Sequence, residues 1–312
     1  MPKFMTYMLL PLTFCFLLVS TSQAQWIIKT EQFEVPPPIA KKATAKYGSV
    51  SKTPTAAFAA LAKAAGQELA ADQTTIYVRA NGDYAAESNA LQGKTKFVYD
   101  NKTESFSIVQ YDEKKVMTGT RKDIKKTTEQ AATAMSDIEK RMAEAMKNAN
   151  LTEEQKKAAS RYLPGFKNQA QEEAKVEDTG DTAKLLDRLV RRFVIRKSDE
   201  VTTVWAANDD RRLAQTARDI QSNMKSMVKM GREEKDELEH LPAGYYPLDI
   251  ITEQSGMGRR DVRINRTTEI TPGDPGTKPF YVPGPKEGFE VVTLQDAMRG
   301  MMQGADQFRR KR

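Results

Sequence analysis

The clearest alternation of apolar and polar positions in the chain lies between Leu185 and Asp210. Two stretches with a period of two are separated by the polar segment Lys197–Glu200, which carries no apolar side chain to bury. This pattern predicts an antiparallel hairpin with one buried face. Trp205, in the second stretch, is predicted to belong to the core or to contact a ligand. In the first stretch, one side carries Leu189, Phe193 and Ile195, and the other side carries Arg192 and Arg196.

Shorter apolar stretches, separated by turn residues such as Asn81-Gly82-Asp83, flank this hairpin on both sides. Such spacing predicts an antiparallel meander before the hairpin and two further strands after it. A sheet with one apolar face has to cover that face, with helices alone or with helices and a bound apolar molecule. The predicted strands are Thr74–Arg79, Thr95–Tyr99, Ser105–Tyr111, Lys115–Thr120, Leu248–Glu253 and Asp261–Ile270.

Helical spacing of apolar residues predicts three further segments. A short alanine-rich helix is expected over Thr55–Ala71, a long one over Ile124–Asn148, and another over Arg211–Lys235. The apolar stripes of the last two contain methionines, among them Met135, Met142 and Met224. Methionine is flexible and polarizable, so these stripes could adapt to a ligand or simply fill an irregular interface between helix and sheet.

The segments predict one main domain with extensions. Residues 1–24 combine Lys3, an apolar run and small residues before position 25, which is typical of a cleaved signal peptide and predicts a periplasmic location. Residues 25–53, with Pro36-Pro37-Pro38, are predicted to be a linker rich in proline, lysine and alanine. Residues 54–293 would form a single domain with a helical insertion at 122–175, and residues 294–312 a basic tail.

Composition excludes several kinds of site. Cys15 is the single cysteine and lies in the predicted signal peptide, so the mature chain would have no disulfide and no thiolate site. His240 is the only histidine, which excludes a metal site built from several histidines, and no cofactor is expected. The net charge of +7 is dispersed among many acidic residues. In an exported protein this charge favours contact with an anionic membrane surface over nucleic acid.

The order of segments resembles the uncharacterised secreted proteins related to the outer-membrane lipoprotein carrier (LolA-like) superfamily. The resemblance covers roughly Ala71 to Val292. It implies an incomplete, strongly curved antiparallel β-barrel whose concave face is covered by helices and holds acyl chains or other apolar ligands. The segments that carry it are TTIYVRANGDYAAES, KTKFVYDNKTESFSIVQYDEKKVM, VTTVWAAND, PAGYYPLDIITEQSG and FYVPGPKEGFE.

The sequence therefore predicts an α+β protein with a curved antiparallel β-sheet, acting as a non-catalytic envelope carrier or sensor of an apolar, lipid-like ligand. The alternative is a structural or interaction protein of the envelope whose half-barrel is filled by its own side chains, with the basic tail contacting a membrane. An enzyme is disfavoured because the acidic residues lie in charged runs, where no carboxyl would have its pKa set apart from its neighbours. The predicted ligand-binding residues are Ile76, Val78, Phe97, Phe193, Ile195, Trp205, Met135, Met142 and Met224.

Overall fold

The computed structural model describes residues 25–90, 93–127, 129–130, 133, 140, 144, 174–197, 200–228, 237–256, 259–297 and 299. The chain is an α+β protein built on one curved, unclosed sheet of twelve strands. All neighbouring strands are antiparallel except β12 and β6, which are parallel. The strand order is β12-β6-β5-β4-β3-β2-β1-β11-β10-β9-β8-β7. The strands are β1 (Trp26–Val35), β2 (Asp72–Val78), β3 (Tyr84–Ala90), β4 (Gly93–Asp100), β5 (Ser105–Gln110), β6 (Lys115–Thr120), β7 (Lys175–Leu185), β8 (Arg188–Lys197), β9 (Glu200–Ala207), β10 (Tyr246–Gly256), β11 (Arg259–Pro272) and β12 (Glu290–Thr293).

The helices are α1 (Pro37–Tyr47), α2 (Thr55–Ala64), α3 (Arg211–Val228) and α4 (Glu237–His240). Residues 121–127 and 294–297 are also helical. The predicted helix over Thr55–Ala71 is confirmed, but it ends at Ala64. Most of the predicted insertion at 122–175 lies outside the described residues, as do the predicted signal peptide and residues 300–312.

The predicted meander and the predicted hairpin are confirmed. Strands β2 to β6 pair in sequence, each antiparallel to the next, and β8 pairs with β9 across the polar turn. The sequence pattern missed β3, because its central residues Ala85 and Ala86 are small and both are buried, which hides the alternation. It also missed β7, an exposed, polar edge strand. Ion pairs hold β7 to arginines of β8, at Arg191–Asp178, Arg192–Asp181 and Arg196–Glu177.

The prediction of a linker over residues 25–53 is wrong. Strand β1 lies in the middle of the sheet, between β2 and β11, and buries Ile28 and Phe33 on opposite faces. The three prolines that suggested an extended arm instead start α1, with Pro37 in its first turn. Proline suits this position because the first backbone N–H groups of a helix have no partner within the helix. The tail is also shorter than predicted, because Leu294 is buried in the core.

Apolar side chains are buried on both faces of the sheet. On β10, Ile250 packs with one group and the adjacent Ile251 packs with another, so the two groups lie on opposite faces. The smaller group, under α1 and α2, is formed mainly by Phe33, Val35, Ile39, Phe58, Ile251, Val262 and Ile264. The larger group, here called the interior cluster, draws residues from all twelve strands and from α3.

The segment after β11 packs on the outer side of strands β3 and β4, where the Lys96 ammonium donates to the Tyr281 carbonyl oxygen at 3.4 Å. The Arg79 guanidinium lies 3.8 Å from the centre of the Phe280 ring and donates a hydrogen bond to the Gly276 carbonyl oxygen. The buried ammonium of Lys96 lies 2.9 Å from a Glu87 carboxylate oxygen. In the part of the chain that the structure describes, α1, α2 and this segment pack on the outer side, and the interior cluster on the opposite face is the candidate site for a ligand.

Candidate functional site: the interior cluster

Aromatic rings line one arm of the interior cluster. Tyr84 of β3 stacks on Phe97 of β4 with 5.6 Å between ring centres, and it lies 5.0 Å from Tyr99. Phe97 stacks in turn on Phe106 of β5 at 6.2 Å. These residues are adjacent because alternate positions on neighbouring antiparallel strands share a face. Together they form a continuous aromatic surface across three strands.

The opposite arm is built by the predicted hairpin. Phe193 and Ile195 of β8 are fully buried and share a face with Val204 and Thr202 of β9. The Phe193 ring meets Tyr245 edge to face at 5.0 Å between centres. The unclosed sheet thus brings apolar side chains of both arms into one cluster.

Trp205 does not share the face of Phe193. The turn pairs Lys197 with Glu200, and this register places Trp205 opposite Arg192, whereas Phe193 faces Val204. The Arg192 guanidinium lies 5.9 Å from the centre of the Trp205 ring. Trp205 is half-buried and packs at the border of the interior cluster. A shift of one residue in the register would move Trp205 to the other face of the sheet. The sequence pattern alone did not determine this register.

Five of the predicted ligand-binding residues come together in the interior cluster, and each is exposed by 8% or less. Met135 and Met142 lie outside the described residues. Met224 lies in α3, but its side chain is not among those that the structure describes. The five residues are Ile76, Val78, Phe97, Phe193 and Ile195.

Helix α3 covers the interior cluster with four apolar residues, two of which are alanines. Its N-terminus is capped by the Asp210 carboxylate, which accepts hydrogen bonds from the backbone N–H groups of Arg212 and Leu213 at 2.9 and 3.1 Å. Near its middle, Arg218 donates hydrogen bonds to the carbonyl oxygens of Leu241 and Pro242. The four apolar residues are Leu213, Ala214, Ala217 and Ile220.

A polar triad fixes the connection from β9 to α3. The Tyr246 hydroxyl donates to Asp209 at 2.6 Å, and Arg188 donates to both Asp209 and the Tyr246 oxygen, at 2.8 and 2.7 Å. Burial raises the pKa of Tyr246, and the hydrogen bond to Asp209 raises it further. Burial opposes ionisation of Asp209, yet the hydrogen bonds from Tyr246 and Arg188 hold its pKa below the usual range. The triad is therefore an ion pair between Arg188 and Asp209 that is hydrogen-bonded to a neutral Tyr246 phenol. This arrangement suits anchoring of the β9–α3 connection more than acid–base chemistry.

A row of buried hydroxyl groups crosses the same face as the interior cluster. Ser88, Thr74, Thr30 and Thr267 are register partners on β3, β2, β1 and β11, and all are nearly inaccessible to solvent. The Thr74 hydroxyl donates to Ser88 at 3.2 Å, and the Thr30 hydroxyl donates to the Thr74 carbonyl oxygen at 3.4 Å. Sequence patterns did not reveal this row. The signal was present as a threonine two positions from Ile76 in TTIYV and two positions from Ile28 in WIIKT, but threonine is common in strands for other reasons.

A buried carboxyl lies on the other face, beneath α2. Asp249 of β10 is 5% exposed, accepts a hydrogen bond from the Thr55 hydroxyl and is the register partner of Arg266. Burial raises the pKa of Asp249 to about 6, although Thr55 and the charge of Arg266 act in the opposite direction. Arg266 is itself engaged by Glu31 through two hydrogen bonds of 3.1 and 2.6 Å. The favourable interactions with Thr55 and Arg266 therefore offset only part of the cost of burying a charged Asp249.

Metal binding and membrane crossing would each leave a recognisable feature. In the part of the chain that the structure describes, no group of three or more His, Cys, Asp or Glu side chains is placed to hold a metal ion. Nor is any helix in that part both long enough and apolar enough to cross a membrane.

Comparisons with known proteins give only remote likenesses. No protein-family model matches the chain, and no curated protein matches it. Among solved structures, an uncharacterized conserved protein from Thermus thermophilus aligns with a TM-score of 0.37 and 6% identity, covering 87% of this chain and 91% of that one. Two crystal forms of PNGF-II align with TM-scores of 0.33 and 0.32 at 8% identity, covering 86% and 88% of this chain. This chain spans only 31% and 32% of the PNGF-II chains, so a functional argument has to come from its own residues.

Proposed function

We propose that the protein binds an apolar, lipid-like molecule within the interior cluster and acts as a non-catalytic carrier or sensor in the cell envelope. The observation that supports this most strongly is the continuity of one apolar face across both arms of an unclosed sheet. Such a face has a hydrophobic driving force for enclosing a chain molecule and needs no charged contact to hold it.

The described part of α3 makes a small apolar contact with this face. Of the α3 side chains that the structure describes, those of residues 211–220, the large members of the interior cluster are Leu213 and Ile220. Burial of two such side chains is worth roughly 3–6 kcal/mol, whereas a chain of about twelve methylenes gains about 10 kcal/mol on burial. An acyl chain would therefore gain more free energy from burial than these two side chains of α3 contribute.

The location and membrane contact belong to the same proposal. A signal peptide at residues 1–24 would deliver the chain to the periplasm, and the basic residues near the C-terminus, Arg309-Arg310-Lys311-Arg312, would contact an anionic membrane surface. Both segments lie outside the described residues. The buried position of Leu294 limits a clean truncation to residues beyond Ala297.

A second candidate function has its own supporting observation. Five predicted ligand-binding side chains are buried to 8% exposure or less by the protein itself. This favours a half-barrel filled by its own residues, in a structural or interaction protein that acts through its surface and tail. On that alternative, removal of residues 298–312 abolishes sedimentation with anionic vesicles, and the interior takes up nothing.

The two candidates separate in one experiment. The mature protein, purified gently from its own envelope fraction, is examined by native mass spectrometry and by thermal unfolding with a panel of fatty acids and neutral lipids. The proposal expects an apolar molecule bound near one to one, or an increase in melting temperature with at least one lipid class. A clean mass together with no stabilisation by any lipid would refute it.

The two tryptophans of the sequence provide a matched control. Trp26 is a buried member of the interior cluster, whereas Trp205 is half-buried at the border of the cluster, beside Arg192. In the Trp205→Phe variant a bound lipid is expected to change the emission of Trp26. In the Trp26→Phe variant the emission of Trp205 should respond much less. Equal responses would place the lipid elsewhere.

A further inference from the structure

The inward face of β1 and β11 changes in polarity along its length. On β1, Trp26 and Ile28 are followed on the same face by Thr30, then Gln32, then the exposed Glu34. On β11, the partners of the last three are Thr267, Asn265 and Arg263. The face thus passes from apolar side chains to hydroxyls, then to amides, and finally to a solvent-exposed pair in which Arg263 lies 3.7 Å from Glu34.

Two polar atoms in the middle of this gradient are buried without a hydrogen-bond partner in the part of the chain that the structure describes. Among the described residues, neither the Thr267 hydroxyl oxygen nor the Asn265 amide oxygen, both inaccessible to solvent, has a hydrogen-bond partner. The two residues are two positions apart on β11 and therefore lie on one face, about 7 Å apart. A buried polar group without a partner is costly. An unpaired hydroxyl beside an unpaired carbonyl oxygen would be satisfied by a group that both donates and accepts.

We infer that the bound molecule is an amphiphile with an uncharged, hydroxyl-bearing head, held at Thr30, Thr267, Gln32 and Asn265 with its apolar chain against Ile28. A hydroxyl can donate to the Asn265 oxygen and accept from the Thr267 hydroxyl, which matches both unpaired atoms. This inference rests on the proposed function and specifies its ligand class.

A charged head fits this position less well. A carboxylate would meet the Asn265 oxygen acceptor to acceptor, and the same row already carries the carboxylate of Asp72, the register partner of Gln32 on β2. A cation would exchange its hydration mainly for neutral hydroxyls and amides. The acidic groups at this end of the face are already engaged, Glu34 by Arg263 and Asp72 by a contact of its own.

Three probes of equal chain length test the head group. Binding of 1-monododecanoylglycerol, dodecanoate and dodecylammonium to the full mature chain is measured by titration calorimetry at pH 8, below their aggregation concentrations. The glycerol ester is expected to bind about tenfold more tightly than either ion, as one to two satisfied hydrogen bonds would give. Equal binding of all three, or tighter binding of an ion, would overturn the head-group inference and leave the proposed carrier function intact. If none of the three binds, the head-group inference fails, and the carrier function fails with it if the native mass is also clean and no lipid of the panel stabilises the protein.

A hydroxyl-to-methyl exchange tests the position. Thr267→Val keeps the shape and the strand preference of the side chain and removes a hydroxyl that has no partner among the described residues. The variant should therefore melt no lower than the wild type, yet bind the glycerol ester about fivefold to tenfold more weakly, with dodecanoate unaffected. Thr271→Val, an exposed position on the same strand, is the matched control and should change neither affinity. Unchanged binding of the glycerol ester to Thr267→Val would mean that water alone fills the polar patch, and the inference would be wrong.

Discussion

Replacing Asp249 by asparagine is expected to stabilise the protein at neutral and alkaline pH. In the folded state the pKa of this carboxyl is raised by burial from 3.8 to about 6. The difference means that ionising Asp249 in the folded protein costs about 3 kcal/mol more than in an unfolded chain. Asparagine keeps an oxygen that can accept the Thr55 hydrogen bond and never ionises, so the Asp249→Asn variant avoids this cost.

The direction of the pH dependence follows from proton binding. Between pH 3.8 and about 6 the folded state holds a proton on Asp249 that the unfolded state has lost. The contribution of this group to the free energy of unfolding therefore falls as the pH rises through that range, and it is fully lost above about pH 7. The Asp249→Asn variant should be more stable than the wild type by up to about 3 kcal/mol at pH 8, with the difference vanishing near pH 4.

Urea unfolding followed by circular dichroism at pH 4, 5, 6, 7 and 8 measures this difference. The control is Asp187→Asn, because the Asp187 side chain is 97% exposed and its ion pair with Lys184 lies at the surface. The control should stay within about 0.5 kcal/mol of the wild type at every pH. If Asp249→Asn is no more stable than the wild type at pH 8, or if the difference does not depend on pH, then Asp249 ionises in the folded state without the cost expected from its burial.

Two further substitutions test the packing around the interior cluster. Tyr246→Phe leaves Asp209 and Arg188 without the hydroxyl between them and should lower the free energy of unfolding by about 1–3 kcal/mol in urea titrations; an unchanged value would mean that the triad does not anchor the β9–α3 connection. Gly119→Ala places a methyl group 2.8 Å from a Phe106 ring carbon and should cost about 1–3 kcal/mol, so a melting temperature equal to that of the wild type would show that the ring moves aside freely.

The period-two pattern predicted most of the strands because their two faces differ in polarity. It identified β2, β4, β5 and β6 as well as the β8–β9 hairpin, and the structure pairs them as neighbours in the sheet except across β3. It failed at β1 and β3, which bury apolar side chains on both faces and so lose the alternation. The pattern also missed β7, because this edge strand is mostly exposed and has no apolar face. Ion pairs and backbone pairing hold it to β8.

The candidate site was predicted only in part, because the sequence pattern does not give the register between neighbouring strands. Ile76, Val78, Phe97, Phe193 and Ile195 were grouped correctly, because each strand carries its own apolar side. The turn between β8 and β9 sets their register, and the register decides which residues of β9 share a face with Phe193. Val204 shares that face, whereas Trp205 is the partner of Arg192. The hydroxyl row joins residues as distant in sequence as Thr30 and Thr267, so no local pattern could group them.

The central position of β1 constrains the order in which the chain folds. The meander β2–β6 and the group β8–β11 each pair strands that are near in sequence, and both can form early. In the sheet, β1 joins them by pairing with β2 on one side and with β11 on the other, and the second pairing links Trp26 to Pro272. Contacts of such separation are slow to form because a very long loop must close first. The two arms can therefore form separately, each with an exposed apolar face, until β11 has been synthesised and can pair with β1.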